Sequence, residues 1–145
     1  MTCAPRPSPL EDLGLLGALQ HEAARLTQRL DGCPLVVSVD AAGHLLFLSP
    51  IVEAASYRIV AEALTNVARH STASSVKVRL RVDNAVCIDI TDNGPPGSEP
   101  WSPGFGLSSM RQRVIDLGGR FDAGPSASGG MVHAELPLQI PEGQE

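Results

Sequence analysis

Tyr57-Arg58-Ile59-Val60-Ala61-Glu62-Ala63-Leu64-Thr65-Asn66-Val67-Ala68-Arg69-His70-Ser71 reads as a helix with two unlike faces. Residues three and four apart share a face on an α-helix. Val60, Ala63, Leu64 and Val67 make the apolar side, which needs a core to pack on. Glu62 and Asn66 stack on the other side, and Arg69 and His70 continue that polar stripe one turn on. A carboxylate, an amide, a guanidinium and an imidazole in one line suit an anionic ligand that carries a metal ion. Asn66 offers a neutral oxygen that completes a magnesium shell otherwise made of phosphate oxygens and water. Glu62 can orient or deprotonate an attacking group. Arg69 and His70 can meet phosphate oxygens. Taken alone, the stripe is better read as the solvent face of an ordinary amphipathic helix.

The flanks extend the pattern. Ser49-Pro50 opens the helix: Ser49 suits the N-cap, Pro50 the first helical position, and Glu53 places negative charge in the first turn. Upstream, Leu10, Leu13, Leu16, Leu19, Leu26 and Leu30 predict an amphipathic helix from Pro9 that ends before Asp31-Gly32. Leu35 to Val39 is expected as a strand, Ala42-Gly43 as a turn and Leu45 to Leu48 as a second short strand. Downstream, Val76, Val78, Leu80 and Val82 alternate, then Val86, Ile88 and Ile90 alternate, with Asp83-Asn84 as a two-residue hairpin turn. A Pro/Gly/Ser-rich loop fills Pro95 to Pro103. A third helix fits Leu107 to Leu117, stopped by Gly118-Gly119. A last hairpin is expected from Arg120 to Ala123, through Gly129-Gly130, to Met131 to Leu138. Helices layered on one face of a mixed sheet, an α+β sandwich, follow from this order.

Composition narrows the classes. A chain of 145 residues with 43% apolar content fits one packed domain, here residues 9–138 between a Pro-rich leader (1–8) and a polar tail (139–145). The net charge of −5, with Lys and Arg dispersed, argues against a nucleic-acid surface. Lys77, Arg79 and Arg81 alternate with Val76, Val78 and Leu80 and read as the solvated face of a strand. No apolar run reaches the roughly 18 residues of a membrane helix. Pro5, Pro7 and Pro9 interrupt any signal-peptide pattern. Cys3, Cys33 and Cys87 show neither metal spacing nor a disulfide framework. A reducing cytoplasmic setting is expected.

Two further signals carry chemistry. Asp92-Asn93-Gly94 follows a strand. An Asp there can accept a hydrogen bond from an exocyclic amine such as that of adenine, and Gly94 lets the backbone come close to a flat ligand. The same triplet is also a strong turn sequence. Gly104-Phe105-Gly106-Leu107 leads into the third helix, where free N–H groups and the helix dipole suit phosphate. It is not a Rossmann fingerprint, and the chain has no P-loop. Ser8, Ser71 and Ser108 lack His/Asp partners at suggestive positions, and His21 reads as solvated surface.

The order and spacing of these signals resemble a known family. Tyr57 to Ser71 closely resembles the N box of sensor histidine kinases. Asp92-Asn93-Gly94 looks like the first glycine box of the same ATPase domain, and Gly104 to Val114 like the second. Gly118-Gly119 and Gly129-Gly130 fit the family's end. The nearest subgroup is the bacterial nitrate-sensor and lipid-fluidity-sensor type, with a short ATP lid. The resemblance implies the GHKL (Bergerat) ATP-binding fold, with ATP and Mg²⁺ as cofactors. It assigns Asn66 to the metal and Glu62 to phosphoryl transfer or water orientation. It sets Arg69 and His70 near the phosphates, Asp92 on the adenine amine and Gly94 beneath the ring. Gly104, Phe105, Gly106 and Leu107 bracket the lid, Pro95 to Pro103. Ser109 stands where the family usually has Gly. Met131 stands in the ATP site where it usually has Thr, so a hydroxyl contact is lost.

The resemblance also implies partners. The family carries a dimerising two-helix domain whose phospho-accepting His sits in an E-x-x-R-I-A-R-[ED]-L-H-D type motif, and nothing here matches it. The chain is therefore expected to be the catalytic module or a fragment of a longer kinase, monomeric alone. It would donate phosphate to a histidine on a separate domain and act on a response regulator indirectly. It would not contact a membrane itself. An anti-sigma-factor-type serine kinase of the same fold is the alternative, disfavoured by the Leu10 to Leu30 helix. A non-catalytic domain with a decayed site is disfavoured by intact Glu62, Asn66 and Asp92.

Overall fold

A computed structural model describes residues 8–43, 48–94, 107–127 and 129–138. Its elements run α1 (Ser8–Arg25), β1 (Val36–Gly43), α2 (Pro50–His70), β2 (Ser75–Val82), β3 (Ala85–Asp92), α3 (Leu107–Asp116), β4 (Arg120–Ser126) and β5 (Gly129–Pro137). The strands form one mixed sheet in the order β1-β2-β3-β5-β4. β1 pairs parallel with β2, and every other pair is antiparallel. This is the expected α+β architecture.

Alternation makes the sheet two-faced. Val76, Val78, Leu80, Val82, Val86, Ile88, Ile90, Val132, Ala134 and Leu136 are buried on one face. Lys77, Arg79 and Arg81, on the other, are exposed. Period-2 side chains let one face close on helices while the other meets water. The apolar side of α2 (Val60, Ala63, Leu64, Val67) packs on that inner face, and Met110 and Val114 of α3 join the same core. α2 is capped as expected. Ser49 Oγ accepts from the Val52 N–H at 3.3 Å, and Pro50 occupies the first turn.

Four boundaries differ from expectation, one of them the start of β5, which pairs with β4 from Gly129 through the expected Gly129-Gly130 loop. α1 ends at Arg25, not near Leu30, because the chain turns back on itself with a bridge between Gln28 and Pro34. Arg29 ties this turn down, donating from Nη1 to the Ala73 carbonyl at 2.8 Å and pairing with Asp31. Leu30, which leucine spacing put on the buried stripe, is 77% exposed, and its N–H satisfies the Ala68 carbonyl near the end of α2. β1 continues through Ala42-Gly43, the expected turn, because it pairs with β2 over its whole length. Gly43 permits this: its φ is 102°, and a Cβ there would lie 2.1 Å from the Val82 carbonyl oxygen. β4 runs past Ala123 to Ser126, since an edge strand accommodates Pro125.

Leu48 lies outside any strand, and residues 45–47 of that expected strand are outside the described residues. So are residues 1–7 of the leader, the loop Pro95 to Pro103, Gly104, Phe105, Gly106 and the 139–145 tail. No helix among the described residues is long and apolar enough to cross a membrane.

Candidate nucleotide site

Asp92 is the last residue of β3, and inward alternation from Ile88 and Ile90 turns it toward α2. Its Oδ1 accepts two backbone N–H groups, from Gly94 at 2.7 Å and from Gly130 at 3.2 Å. Oδ2 has no hydrogen-bond partner among the described residues. The carboxylate is thus fixed by one oxygen and offers the other as an acceptor. Gly94 is buried behind it. A Cβ on Gly94 would meet Ser71 Oγ at 2.7 Å and Asp92 Oδ1 at 2.8 Å.

Asp92 borders a cavity of about 250 Å³ between α2 and strands β3 and β5. Ala63, Asn66, Val67, His70 and Ser71 line it from the helix side. Ile90, Asp92, Gly130, Met131 and Val132 line it from the sheet. Clefts for whole drug-sized ligands start at about 300 Å³. This volume suits a heterocyclic base more than a complete nucleotide. Apolar Ala63, Val67, Ile90 and Val132 beside the Asp92 acceptor suit a flat base bearing an exocyclic amine.

Of the residues expected in the site, Asn66, His70, Asp92 and Met131 border this cavity. Asn66 and His70 are one turn apart on α2, with Asn66 half-buried and His70 exposed. Met131 alternates with inward Val132 and pairs with exposed Thr91, so its register groups it with the outer sheet face. Gly130 fills the inward place beside Asp92. Arg69 is exposed and Leu107 is half-buried against the core; neither lines the cavity. Glu62 lies one turn before Asn66, about 6 Å along the helix axis. It too lies outside the cavity wall, and its Oε1 accepts from Arg113 Nη1 at 2.9 Å. No group of three or more His, Cys, Asp or Glu able to hold a metal occurs among the described residues. Asn66 would hold a cation only alongside oxygens from the ligand and water.

Residues 52–140 match the family described as histidine kinase-, DNA gyrase B-, and HSP90-like ATPases. The chain belongs to this ATPase family. It is homologous to the ATPase domain of sensor histidine kinases. It is 30% identical over 138 residues to the sensor histidine kinase MctS of Rhizobium johnstonii, covering 91% of this chain and 29% of that protein. It is 32% identical over 143 residues to the sensor histidine kinase NarS of Mycobacterium tuberculosis, covering 92% of this chain and 32% of that protein. The chain thus spans about a third or less of these curated relatives. Among solved structures, a blue-light activated histidine kinase of Erythrobacter litoralis superposes with a TM-score of 0.64. Its identity is 23%, covering 90% of this chain and 47% of that one. The catalytic domain of histidine kinase ThkA gives 0.59 at 14% identity, covering 87% of this chain and 89% of that one. These superpositions concern the fold.

Several residues of this ATPase domain were missed from sequence. Ile90 and Val132 line the cavity, and inward alternation two places from Asp92 could have found Ile90. Ser71 closes α2 as its C-cap, and its Oγ accepts from the Ala73 N–H at 2.9 Å. Asn93, expected only as a turn residue, pins the site's floor. Its Oδ1 accepts from the N–H groups of Ser74 at 2.8 Å and Ser75 at 3.0 Å, and its Nδ2 donates to Ser74 Oγ at 2.9 Å. Arg113 sits inside the stretch that resembles the second glycine box, but only tertiary packing shows that it reaches Glu62.

Proposed function

We propose that this domain binds Mg-ATP and donates the γ-phosphate to a histidine on a separate dimerisation domain, as the catalytic module of a two-component sensor kinase. The observation that carries this reading is the convergence of Asn66, His70 and Asp92 on one cavity. Asp92 Oδ2 accepts from the adenine amine, and Gly94 holds the Asp92 carboxylate by its N–H. Asn66 supplies an oxygen to Mg²⁺, which when bound neutralises phosphate charge. His70, on the cavity wall, and Arg69 beside it meet phosphate oxygens. Glu62 orients the attacking group. Gly104, Phe105, Gly106 and Leu107 are assigned to ATP by their likeness to the second glycine box, and Met131 borders the base. The acceptor histidine, the parent kinase and the response regulator are partners outside this chain. Phosphoryl transfer depends mainly on positioning and charge neutralisation, which these residue types provide.

The test is calorimetric titration with Mg-ATP or a non-hydrolysable analogue, with Asp92→Asn as control. Saturable heat from the wild type that weakens in the variant supports the site. Equal heat from both proteins overturns the adenine assignment.

A further inference from the structure

The role of Glu62 as proposed above requires its carboxylate to be held at one place, and α2 alone does not hold it. A glutamate has three side-chain torsions, and Glu62 is 41% exposed. Nothing on its own helix bonds it among the described residues. The only partner described is Arg113, two turns into α3, at 2.9 Å and 31% exposed. We infer that Arg113 is a positioning residue for Glu62, orienting its carboxylate for phosphoryl transfer.

Geometry favours this over an incidental surface pair. Arg113 takes Oε1 and leaves Oε2 with no partner among the described residues, so the carboxylate is oriented without being saturated. The arrangement repeats that at Asp92, where one oxygen is fixed and the other presented. Along α2 the order is Ser71 and His70, then Asn66, then Glu62. The Asp92 end takes the base, so Glu62 falls at the far end, one turn beyond the Asn66 proposed for Mg²⁺. Arg113 approaches from the helix whose N-terminus, Leu107, directly follows Gly104-Phe105-Gly106. The remaining neighbours on α3 point to other tasks. Arg111 stacks 5.2 Å over the Phe121 ring and donates to the Phe121 carbonyl, and Gln112 pairs with Asp116. The pair is too exposed to be a main source of stability. Its loss should therefore act on rate before it acts on folding.

This inference rests on the ATP-site reading, and one experiment separates the two. Binding of a non-hydrolysable Mg-ATP analogue and slow Mg-ATP hydrolysis are measured on this chain for wild type, Arg113→Ala, Arg113→Lys, Glu62→Gln and the Glu62→Gln/Arg113→Ala pair. Arg113→Ala is expected to lower kcat by about tenfold to a hundredfold, the cost of a misplaced catalytic group, with KM and analogue affinity nearly unchanged. Arg113→Lys should recover part of the rate, because the charge remains while the fork geometry is lost. The double variant should be no slower than Glu62→Gln. A kcat for Arg113→Ala equal to wild type overturns the inference. So does a further drop in the Glu62→Gln background, which would mean that Arg113 acts on phosphate directly. Absence of analogue binding by the wild type overturns the ATP site itself.

Discussion

Gly130 donates its backbone N–H to Asp92 Oδ1 at 3.2 Å, joining the start of β5 to the end of β3 at the cavity edge. With the Gly94 N–H at 2.7 Å, this fixes Oδ1 and leaves Oδ2 without a partner among the described residues. Close approach makes it possible: a Cβ on neighbouring Gly129 would lie 2.0 Å from the Asp92 carbonyl oxygen. Main-chain donors hold the Asp92 carboxylate, so side-chain chemistry there can be changed without removing its supports.

Asp92→Asn tests this directly. The amide oxygen still accepts from Gly94 and Gly130, which leaves NH₂ where Oδ2 was. The cavity then presents a donor to the exocyclic amine of adenine. Affinity for ATP should fall by about 10- to 100-fold, the equivalent of a hydrogen bond to a charged group. The ratio of inosine triphosphate to ATP affinity should rise, since a 6-oxo group accepts from that NH₂. Competitive calorimetry with both nucleotides reads the ratio, and an unchanged ratio contradicts the assignment.

Gly94→Ala places a methyl 2.7 Å from Ser71 Oγ and 2.8 Å from Asp92 Oδ1. Asp92 cannot retreat without breaking two backbone hydrogen bonds. The expected destabilisation is about 1–3 kcal/mol, the usual range for overpacking. Ser71→Ala, added to Gly94→Ala, removes the nearer obstacle and should restore part of the loss. Urea denaturation of the single and double variants checks this, and full additivity of the two substitutions would refute the steric account.

Local periodicity explains which parts of this domain were legible. α2 and the β2–β3 hairpin were readable because caps, turn residues and apolar period all agree there. The end of α1 was not, because leucine spacing continues to Leu30 while two tertiary bonds, Arg29 to Ala73 and Leu30 to Ala68, decide the turn. The length of β1 was hidden by its parallel partner, which is distant in sequence. Asp92 and Asn66 were identifiable as types, yet the grip on Asp92 depends on β3–β5 register. That register sets Gly130 rather than Met131 inward. Arg113 was invisible for the same reason: its partner lies 51 residues away.

Asn93→Ala separates floor from site. The substitution removes bonds to Ser74 and Ser75 that tie the α2–β2 loop to the end of β3. These groups are exposed, so water replaces much of what is lost. A destabilisation of about 1–2 kcal/mol is expected. The urea midpoint should fall with an unchanged slope. Because Asn93 does not line the cavity, nucleotide affinity measured well below the midpoint should stay close to wild type. A large affinity loss would place Asn93 in the site.

Asn66→Ala should uncouple nucleotide from metal. The wild type is expected to bind ATP more tightly with magnesium than with a chelator, because Asn66 adds an oxygen to a shell completed by phosphates and water. In Asn66→Ala that difference should shrink while chelator-only affinity persists, since Asp92 and the apolar walls are intact. Calorimetry with and without magnesium measures both. A variant that keeps the full magnesium effect would show that Asn66 is not the metal residue.

The outer sheet face supplies a pH dependence of its own. His133 Nδ1 and Asp89 Oδ1 are 2.6 Å apart, and His133 Nε2 is 3.5 Å from Glu135 Oε2. Burial works to lower the His133 pKa, but the hydrogen bond and charge of Asp89, aided by Glu135, outweigh it and hold the value above the ordinary 6.5. A raised folded pKa means that the folded state binds the proton more tightly than the unfolded state. The resulting stability is fully present below pH 6.5 and is lost as pH rises through the higher folded value. The pair is partly exposed, so the contribution is about 0.5–1 kcal/mol. Urea denaturation at pH 6 and pH 8.5 should show this loss in the wild type and not in His133→Gln. The same pH dependence in both proteins would trace it to other groups.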